Sequence, residues 1–240
     1  MNLREVANTL PDLPRWVEVR SMLLADRAEV FGLDLAAAPS FVAVHADGGL
    51  MGIVGMPRPA AIHDAIRSSG NVDSVLAIPE DAAWVEHVLT DWSHERAVLH
   101  VLPDPSRLPS VPQGTVRLLA PSDIVALESL PTELKKELEA ESRAGTAIAA
   151  AFEDGQPVSF CYAGSETERW WDIGIDTLEP YRRKGLAARC VAFQIARFRE
   201  RGKQPVWGAT DSNSASVQLA AKLGFMKTDE ICVFTPPASS

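Results

Sequence analysis

The sequence predicts an α/β protein of the α+β kind, with a mixed central sheet and flanking helices preceded by a smaller α/β unit. Short apolar runs rich in β-branched residues alternate with amphipathic helical patterns along the chain. Residues 103–114 contain four prolines and Gly114, a density that blocks both helix and central strand. Residues 170–201 have the pattern of an apolar strand, a basic glycine-bearing turn and a long helix.

The proline-rich stretch predicts the division of the chain. We expect an amino-terminal α/β unit at residues 1–102, a linker at 103–114 and a second domain at 115–236.

The first unit is predicted to start with helices and to continue as alternating strands and helices. Helical spacing of apolar residues predicts one helix near residues 3–10 and a second from Trp16 to Val30. The period then changes to two on both sides of Asp47-Gly48-Gly49, which predicts a β-hairpin. The elements expected after it are a helix at 60–68, a strand at 72–78, a helix at 81–92 and a strand at 97–102.

The second unit is predicted to have the order β-α-α-β-β-β-α-β-α-β. Gly202 and Gly224 each follow a helical pattern and are typical of helix ends. The expected strands are 115–119, 146–152, 158–163, 169–176, 205–209 and 225–234, of which the last could also be a hairpin. The expected helices are 124–130, 132–144, 186–201 and 212–223.

Composition excludes several classes of function. A net charge of −9 disfavours nucleic acid as the main partner, and no apolar run is long enough to cross a bilayer. The amino terminus lacks the pattern of a secretory signal. Three widely spaced cysteines form neither a disulfide framework nor a metal signature, and no histidines have ligand spacing. We therefore expect a cytoplasmic protein without a metal, whose oligomeric state the sequence leaves open.

The basic turn has the features of a phosphate site. Its sequence is Arg182-Arg183-Lys184-Gly185-Leu186-Ala187, directly before a predicted helix. The first N–H groups of a helix lack partners within it, the helix dipole favours an anion there, and glycine permits close approach to the backbone. The alternative interpretation is a solvated basic turn that binds nothing.

Two motifs in this element order resemble the GNAT superfamily of acyl-CoA-dependent N-acetyltransferases. The first is Arg/Gln-x-x-Gly-x-Gly/Ala, matched by residues 182–187 with Tyr181 before them. The second is an asparagine followed by a helix that ends in Leu-Gly-Phe, matched by Asn213 and by Leu223-Gly224-Phe225. The resemblance is best over residues 146–234, is plausible from 115 onward, and identifies 115–236 as the acetyltransferase domain.

The resemblance implies a binding role for specific residues. Acetyl-CoA would be the cosubstrate, and its pyrophosphate would be held by Arg182, Arg183, Lys184, Gly185, Leu186 and Ala187. Its pantetheine arm would pair with the backbone of Ile175, Asp176 and Thr177. The strand around 207–209 would diverge to make room for that arm, and Asn213 would contact the cofactor. An alternative role for Asn213 is a helix cap.

The implied reaction is transfer of an acetyl group to a primary amine of a small or cationic acceptor. Such a transfer needs a base for the amine proton. Asp172 and Asp176 share one strand face, and Asp172 is the candidate base; the alternative is that Asp172 is only a surface residue. The tyrosine that often protonates the leaving thiolate in this family is replaced by Ala220. A second hypothesis is therefore a CoA-binding regulatory or structural protein without turnover.

The first unit is open to two interpretations. Its predicted order of elements repeats part of the second unit, which suggests a diverged copy of the acetyltransferase domain; the alternative is an unrelated α/β domain. In an alignment of residues 36–102 with 146–210, the counterpart of the basic turn is Ile78-Pro79-Glu80-Asp81-Ala82-Ala83. That segment is acidic and lacks glycine, so we expect it to repel a pyrophosphate.

Overall fold

The computed structural model describes residues 2–125, 127 and 130–237 of the chain, which fall into two compact units. Unit 1 contains the residues up to His100, together with Gly208–Val217 and the residues from Lys227 onward. Unit 2 contains Val101–Trp207 and Gln218–Met226. Both units thus combine separate parts of the chain, whereas the division predicted from sequence is linear.

In chain order, the helices and strands of the described residues are α1 Leu3–Ala7, α2 Val17–Leu24, β1 Ala28–Asp34, β2 Ser40–His45, β3 Gly49–Val54, α3 Pro59–Ser69, β4 Val72–Ala77, α4 Pro79–Val88, β5 Ser93–Val101, β6 Val116–Leu118, α5 Pro121–Val125, α6 Thr132–Arg143, β7 Ala149–Glu153, β8 Gln156–Glu166, β9 Trp170–Thr177, α7 Leu186–Glu200, β10 Gln204–Thr210, α8 Ser214–Lys222 and β11 Met226–Thr235.

Unit 1 is built on strands in the order β1-β2-β3-β4-β11-β5. The pairs β1/β2, β2/β3 and β4/β11 are antiparallel, and β3/β4 is parallel, as a helical crossover requires. Two clusters of buried apolar side chains cover the sheet, one including Val19 and Leu23 of α2 and the other including Ile62 of α3 and Val85 of α4. The last strand of the chain therefore contributes to the core of unit 1.

Unit 2 has the strand order β6-β7-β8-β9-β10. The first three pairs are antiparallel, and β9/β10 is parallel across α7. On one face, Ile124 of α5 and Leu138 of α6 pack in a cluster with Phe160 and Tyr162 of β8. Helix α7 packs against β7, β8 and β9.

Hydrogen bonds and aromatic stacking fix α7 on the sheet. The buried amide of Gln194 donates from Nε2 to the carbonyl oxygens of Ala147, at 2.6 Å, and Cys161, at 3.0 Å. Trp171 of β9 stacks on Phe198 with the ring centroids 4.3 Å apart. Satisfied buried polar groups and ring packing of this kind tolerate little displacement. The amino terminus of α7 is consequently held at a defined place beyond the end of β9.

The two units repeat the same order of elements. In unit 1, α1 and α2 precede β1-β2-β3, α3 and the parallel strand β4; in unit 2, α5 and α6 precede β7-β8-β9, α7 and the parallel strand β10. In this correspondence, the turn between β3 and α3, residues 55–58, is the counterpart of the basic turn between β9 and α7.

The structure confirms the predicted fold class and corrects several elements. Both predicted hairpins are present, as β2/β3 and β7/β8. The helix predicted from Trp16 to Val30 is wrong in its second half, because α2 ends at Leu24 and β1 begins at Ala28. Because strand β1 was missed, the predicted alignment of the first unit with the second was displaced by one strand. Residues 78–83 are therefore not the counterpart of the basic turn. Part of the helix predicted at 124–130 lies outside the described residues.

Glycine is expected to be required at position 174 of β9, because a larger side chain would not fit there. A Cβ atom at Gly174 would lie 2.4 Å from Cε2 of Tyr162, which is its cross-strand neighbour. Gly174→Ala should therefore lower the free energy of unfolding by about 1–3 kcal/mol, as overpacking typically does. Urea denaturation measures the change.

Gly164→Ala is the matched control for this prediction. Gly164 lies in the neighbouring strand, and the nearest atom that its Cβ would meet is Oδ2 of Asp172 at an ordinary 3.8 Å. Equal destabilisation by the two substitutions would show that the Tyr162 ring does not explain the requirement for glycine.

Candidate functional site

The basic turn adopts a backbone conformation suited to anions. Arg183 and Gly185 both have left-handed backbone angles, with φ of 62° and 79°. A non-glycine residue in this region costs about 1 kcal/mol or more, so other interactions must hold Arg183 there. Turns with left-handed residues bring successive N–H groups to one side and form concave anion sites. The backbone of the turn is thus compatible with a phosphate, and the binding itself stays a prediction.

The start of α7 leaves its N–H groups available. Gly185 is the N-cap, and no side chain accepts a hydrogen bond from the first turn. The first intrahelical bond in this turn runs from the N–H of Arg189 to the carbonyl of Gly185 at 3.2 Å. Residues 182–185 are exposed, whereas Leu186 is buried and anchors the helix. An anion approaching Gly185 would meet open space, because nothing lies within 4 Å of the position of a Cβ.

The basic side chains of the turn are already oriented. Arg182 donates from Nε to the carbonyl oxygen of Thr177 at 3.1 Å, which ties the turn to the end of β9. Lys184 forms an ion pair with Glu153 at 2.6 Å and lies over the ring of Tyr181. These exposed contacts are worth little energetically, but they restrict where the positive charges lie.

The edge of β9 is open next to this turn. The parallel pairing between β9 and β10 covers Gln204↔Trp170 to Val206↔Asp172. Strand β9 continues to Thr177, and its pairing with β8 continues with it, to Ser159↔Thr177. The segment 173–177 is therefore supported by β8 on one side only, and its other edge presents backbone groups. Ile175, Asp176 and Thr177, the residues predicted to pair with pantetheine, lie in this segment.

Asp172 and Asp176 lie on the same face of β9, as predicted. Residues directly opposite each other on neighbouring strands share a face, and Asp176 is paired with Phe160 and Gly174 with Tyr162. Phe160 and Tyr162 pack under α5 and α6, so both aspartates point to that face. At about 3.3 Å per residue, they are separated by about 13 Å along the strand. They are therefore not in direct contact.

Sequence reasoning missed a polar cluster on this face. The Tyr162 hydroxyl, which is buried, lies 2.5 Å from Oε1 of Glu137 in α6 and 3.3 Å from Oδ2 of Asp176. Burial raises the pKa of Tyr162, and the nearby carboxylate of Glu137 raises it further. Burial also raises the pKa of Asp176, while the hydrogen bond with Tyr162 and the charge of Arg182 oppose the rise. Helical spacing gave no reason to distinguish Glu137 from other charged residues of α6.

Two further residues singled out in the sequence, Asn213 and Ala220, lie directly before α8 and within it. Asn213 precedes α8, and its Oδ1 accepts a hydrogen bond from the N–H of Ser216 at 3.1 Å. This is the capping role that the sequence left open, and a cofactor contact stays a prediction. Ala220, where the family often has tyrosine, is fully buried.

Two further features are absent from the described part of the chain. Within residues 2–125, 127 and 130–237, no group of three or more His, Cys, Asp or Glu side chains is arranged to hold a metal ion. None of the described helices is both long and apolar enough to span a membrane.

Part of the sequence is similar to a known family. Residues 143–234 match the model of the GNAT acetyltransferase family. An uncharacterised N-acetyltransferase of Bacillus subtilis, YdfB, is 42% identical over 64 residues. That match covers 26% of this chain and 24% of the relative, so the chain corresponds to about a quarter of the relative's length.

Solved structures share the fold over nearly the whole chain. A GCN5-related N-acetyltransferase-like protein from Streptococcus suis has a TM-score of 0.69 at 20% identity and covers 98% of both chains. A putative acetyltransferase from Pyrococcus horikoshii has a TM-score of 0.61 at 13% identity, covering 99% of this chain and 85% of its own. A tandem GNAT protein from the clavulanic acid biosynthesis pathway has a TM-score of 0.56 at 13% identity, with coverages of 93% and 88%.

These likenesses in structure show the fold, and the family model agrees with the motifs at residues 182–187 and 213–225. The segment 143–234 of this chain, which contains the basic turn and the open edge of β9, thus matches the model of the GNAT acetyltransferase family.

Proposed function

We propose that the chain is an N-acetyltransferase that moves an acetyl group from acetyl-CoA to a primary amine of a small or cationic acceptor. One observation carries the proposal: the open edge of β9 leads directly to the uncapped amino terminus of α7. Acetyl-CoA has a long polar arm and an anionic head, which fit a strand edge and a helix amino terminus in that order.

The proposed binding roles follow from this geometry. The backbone of Ile175, Asp176 and Thr177 would form hydrogen bonds with the pantetheine arm. The turn from Arg182 to Ala187 would bind the pyrophosphate through its N–H groups, with the charges of Arg182, Arg183 and Lys184 adding long-range attraction. A backbone N–H of the open segment would polarise the thioester carbonyl.

The amine must lose a proton to attack the thioester carbon. We propose Asp172 as the base, because its carboxylate lies on the face of β9 that α5 and α6 border and at the end of the β10 pairing. A positioned carboxylate that accepts this proton typically contributes 10²- to 10⁴-fold to the rate, roughly. The acidic excess of the chain favours a cationic acceptor through long-range attraction.

Unit 1 is proposed to be a diverged copy that does not bind CoA. Asp81 of α4 acts on the counterpart turn, residues 55–58, because burial raises the pKa of its carboxyl and the nearby backbone of Gly55 opposes the rise. An internal carboxylate in that place repels a second anion. Residues 78–83 are not the counterpart of the basic turn. One of them, Asp81, would nevertheless repel a pyrophosphate from the counterpart turn at 55–58.

Turnover against a panel of amines tests the proposed function. The protein is incubated with acetyl-CoA and each amine, and free thiol is followed. Amine-dependent release of CoA supports the proposal. Tight CoA binding without thiol release across a broad panel would instead favour the second hypothesis, a CoA-binding protein without turnover, which the alanine at position 220 had suggested.

Gly185→Ala is expected to weaken CoA binding by about 10-fold or more. The substitution forces a side chain into a left-handed conformation and adds a methyl group where the phosphate approaches, and each effect costs about 1 kcal/mol. Calorimetric titration with CoA measures the dissociation constant.

Gly202→Ala is the matched control at the other end of α7. Gly202 also has a positive φ, 73°, and open space around its Cβ position, so the backbone cost is similar. If Gly202→Ala weakened CoA binding as much as Gly185→Ala, the effect would come from general strain and the assignment of the turn would be contradicted.

Asp172→Asn is expected to lower kcat for amine acetylation by about 10²-fold while leaving the CoA dissociation constant unchanged. The amide has the shape of the carboxylate but does not accept the amine proton. Steady-state kinetics and calorimetry on the same preparation separate the two quantities. Unaltered acetyl transfer by this variant would exclude Asp172 as the base.

A further inference from the structure

The cluster of Glu137, Tyr162 and Asp176 is not explained by the fold alone. It connects an exposed carboxylate of α6 to a half-buried carboxylate of β9 through a buried hydroxyl group. Asp176 belongs to the open segment 173–177, and its side chain projects to the face bordered by α5 and α6. The cluster therefore runs from the proposed cofactor groove to solvent.

Counting hydrogens shows that this cluster can accommodate one more proton than the Tyr162 hydroxyl supplies. A tyrosine hydroxyl has one hydrogen to donate, and an ionised carboxylate only accepts. The Tyr162 oxygen lies within hydrogen-bond distance of a carboxylate oxygen on each side, at 2.5 Å and 3.3 Å. If Tyr162 donates to Glu137, the second contact is favourable when Asp176 is protonated and donates to the tyrosine oxygen. Two hydrogen bonds need two hydrogens, one more than tyrosine supplies.

The charged groups around the cluster favour this arrangement. Glu137 and Glu141 of α6 and Asp176 of β9 all act electrostatically on Tyr162, and Arg182 of the basic turn acts on Asp176. Three carboxylates and one arginine leave a net negative charge, which a proton shared within the cluster would reduce. The carboxylate of Glu141 accepts a hydrogen bond from the Thr146 hydroxyl at 2.7 Å.

We propose that Asp176, recharged through Tyr162 and Glu137, donates the proton that the departing CoA thiolate needs. The inference rests on the proposed acetyltransferase function and assigns the acid left open by Ala220. That alanine is fully buried and has no acidic group, whereas Asp176 lies in the strand segment along which the arm of CoA would run.

The proton steps balance. The amine nitrogen forms the bond to the acetyl carbon and loses its proton to Asp172 through a water molecule, since Asp172 and Asp176 are about 13 Å apart along β9. As the carbon–sulfur bond breaks, the O–H bond of Asp176 breaks and an S–H bond forms. Glu137, the acceptor of the Tyr162 hydrogen bond, next takes a proton from solvent and passes a proton to the tyrosine oxygen as the hydroxyl proton of Tyr162 moves to Asp176. Asp172 releases the amine proton to solvent, so the protons taken up and released are equal. No free phenolate forms, so the raised pKa of Tyr162 does not prevent the relay.

Three variants test the relay. Asp176→Asn should lower kcat by about 10²-fold, and Tyr162→Phe, which keeps the ring across Gly174, by about 10-fold. The CoA dissociation constant should stay within about threefold in both, because the proposed cofactor contacts of residue 176 are made by its backbone. Glu141→Gln is the matched control; it retains an acceptor for Thr146 and should leave kcat unchanged.

The dependence of kcat on pH shows whether Asp176 acts as an acid or has only a structural role. In the wild-type protein kcat should fall as pH rises and the shared proton is lost, and in Asp176→Asn this alkaline limb should disappear. Unchanged kcat in Tyr162→Phe, or a loss of CoA binding in proportion to the loss of kcat, would overturn the proposal.

A titration of the free protein tests the cluster without any turnover. Carbon-13 NMR of the carboxyl groups should show the pKa of Asp176 raised above the usual range of an aspartate by burial, and Tyr162→Phe should shift it. An ordinary pKa for Asp176 in the wild-type protein, or an unchanged one in Tyr162→Phe, would overturn the proton store. A wild-type protein that acetylates no amine would contradict the proposed function, and the titration would then decide on the cluster alone.

Discussion

The constraint on which the site depends is the separation of β10 from β9 after Asp172. A strand inside a sheet normally has both backbone edges satisfied, and unpaired backbone groups are costly when they are buried. Here the segment 173–177 keeps its pairing with β8, while its pairing with β10 has ended. The half-exposed character of residues 174–177 agrees with an edge that water or a ligand can reach.

The other parts of unit 2 compensate for this open edge. Gln194 and the stack of Trp171 on Phe198 fix α7 on one face of the sheet. On the other face, the Tyr162 ring packs over Gly174, and its hydroxyl links β8 to both β9 and α6. The strand that lacks one neighbour is therefore held from above and below. Rigid support of this kind lets backbone donors act on a substrate without reorganisation.

The sequence predicted the parts of the fold that local patterns encode. The basic turn, the helix after it and both hairpins follow from glycine positions and hydrophobic period, and the turn conformation at Gly185 is what glycine permits. Strand β1 was missed because Ala28–Asp34 follows α2 without proline and mixes polar with apolar residues. Placement of β11 beside β4 was beyond prediction, since that pairing joins residues more than 150 positions apart. The Glu137–Tyr162–Asp176 cluster was missed for the same reason, because three elements bring it together.

The central claim is that acetyl-CoA lies along the open edge of β9 with its pyrophosphate at the start of α7. Backbone amide hydrogen exchange with and without acetyl-CoA tests this most directly, because it reports on N–H groups one by one. We predict that acetyl-CoA slows exchange in residues 173–177 and 185–188, and leaves residues 55–58 of unit 1 unaltered. If saturating acetyl-CoA left residues 173–177 and 185–188 unprotected from exchange, the proposed binding mode would be contradicted. Protection of residues 55–58 instead would also contradict it.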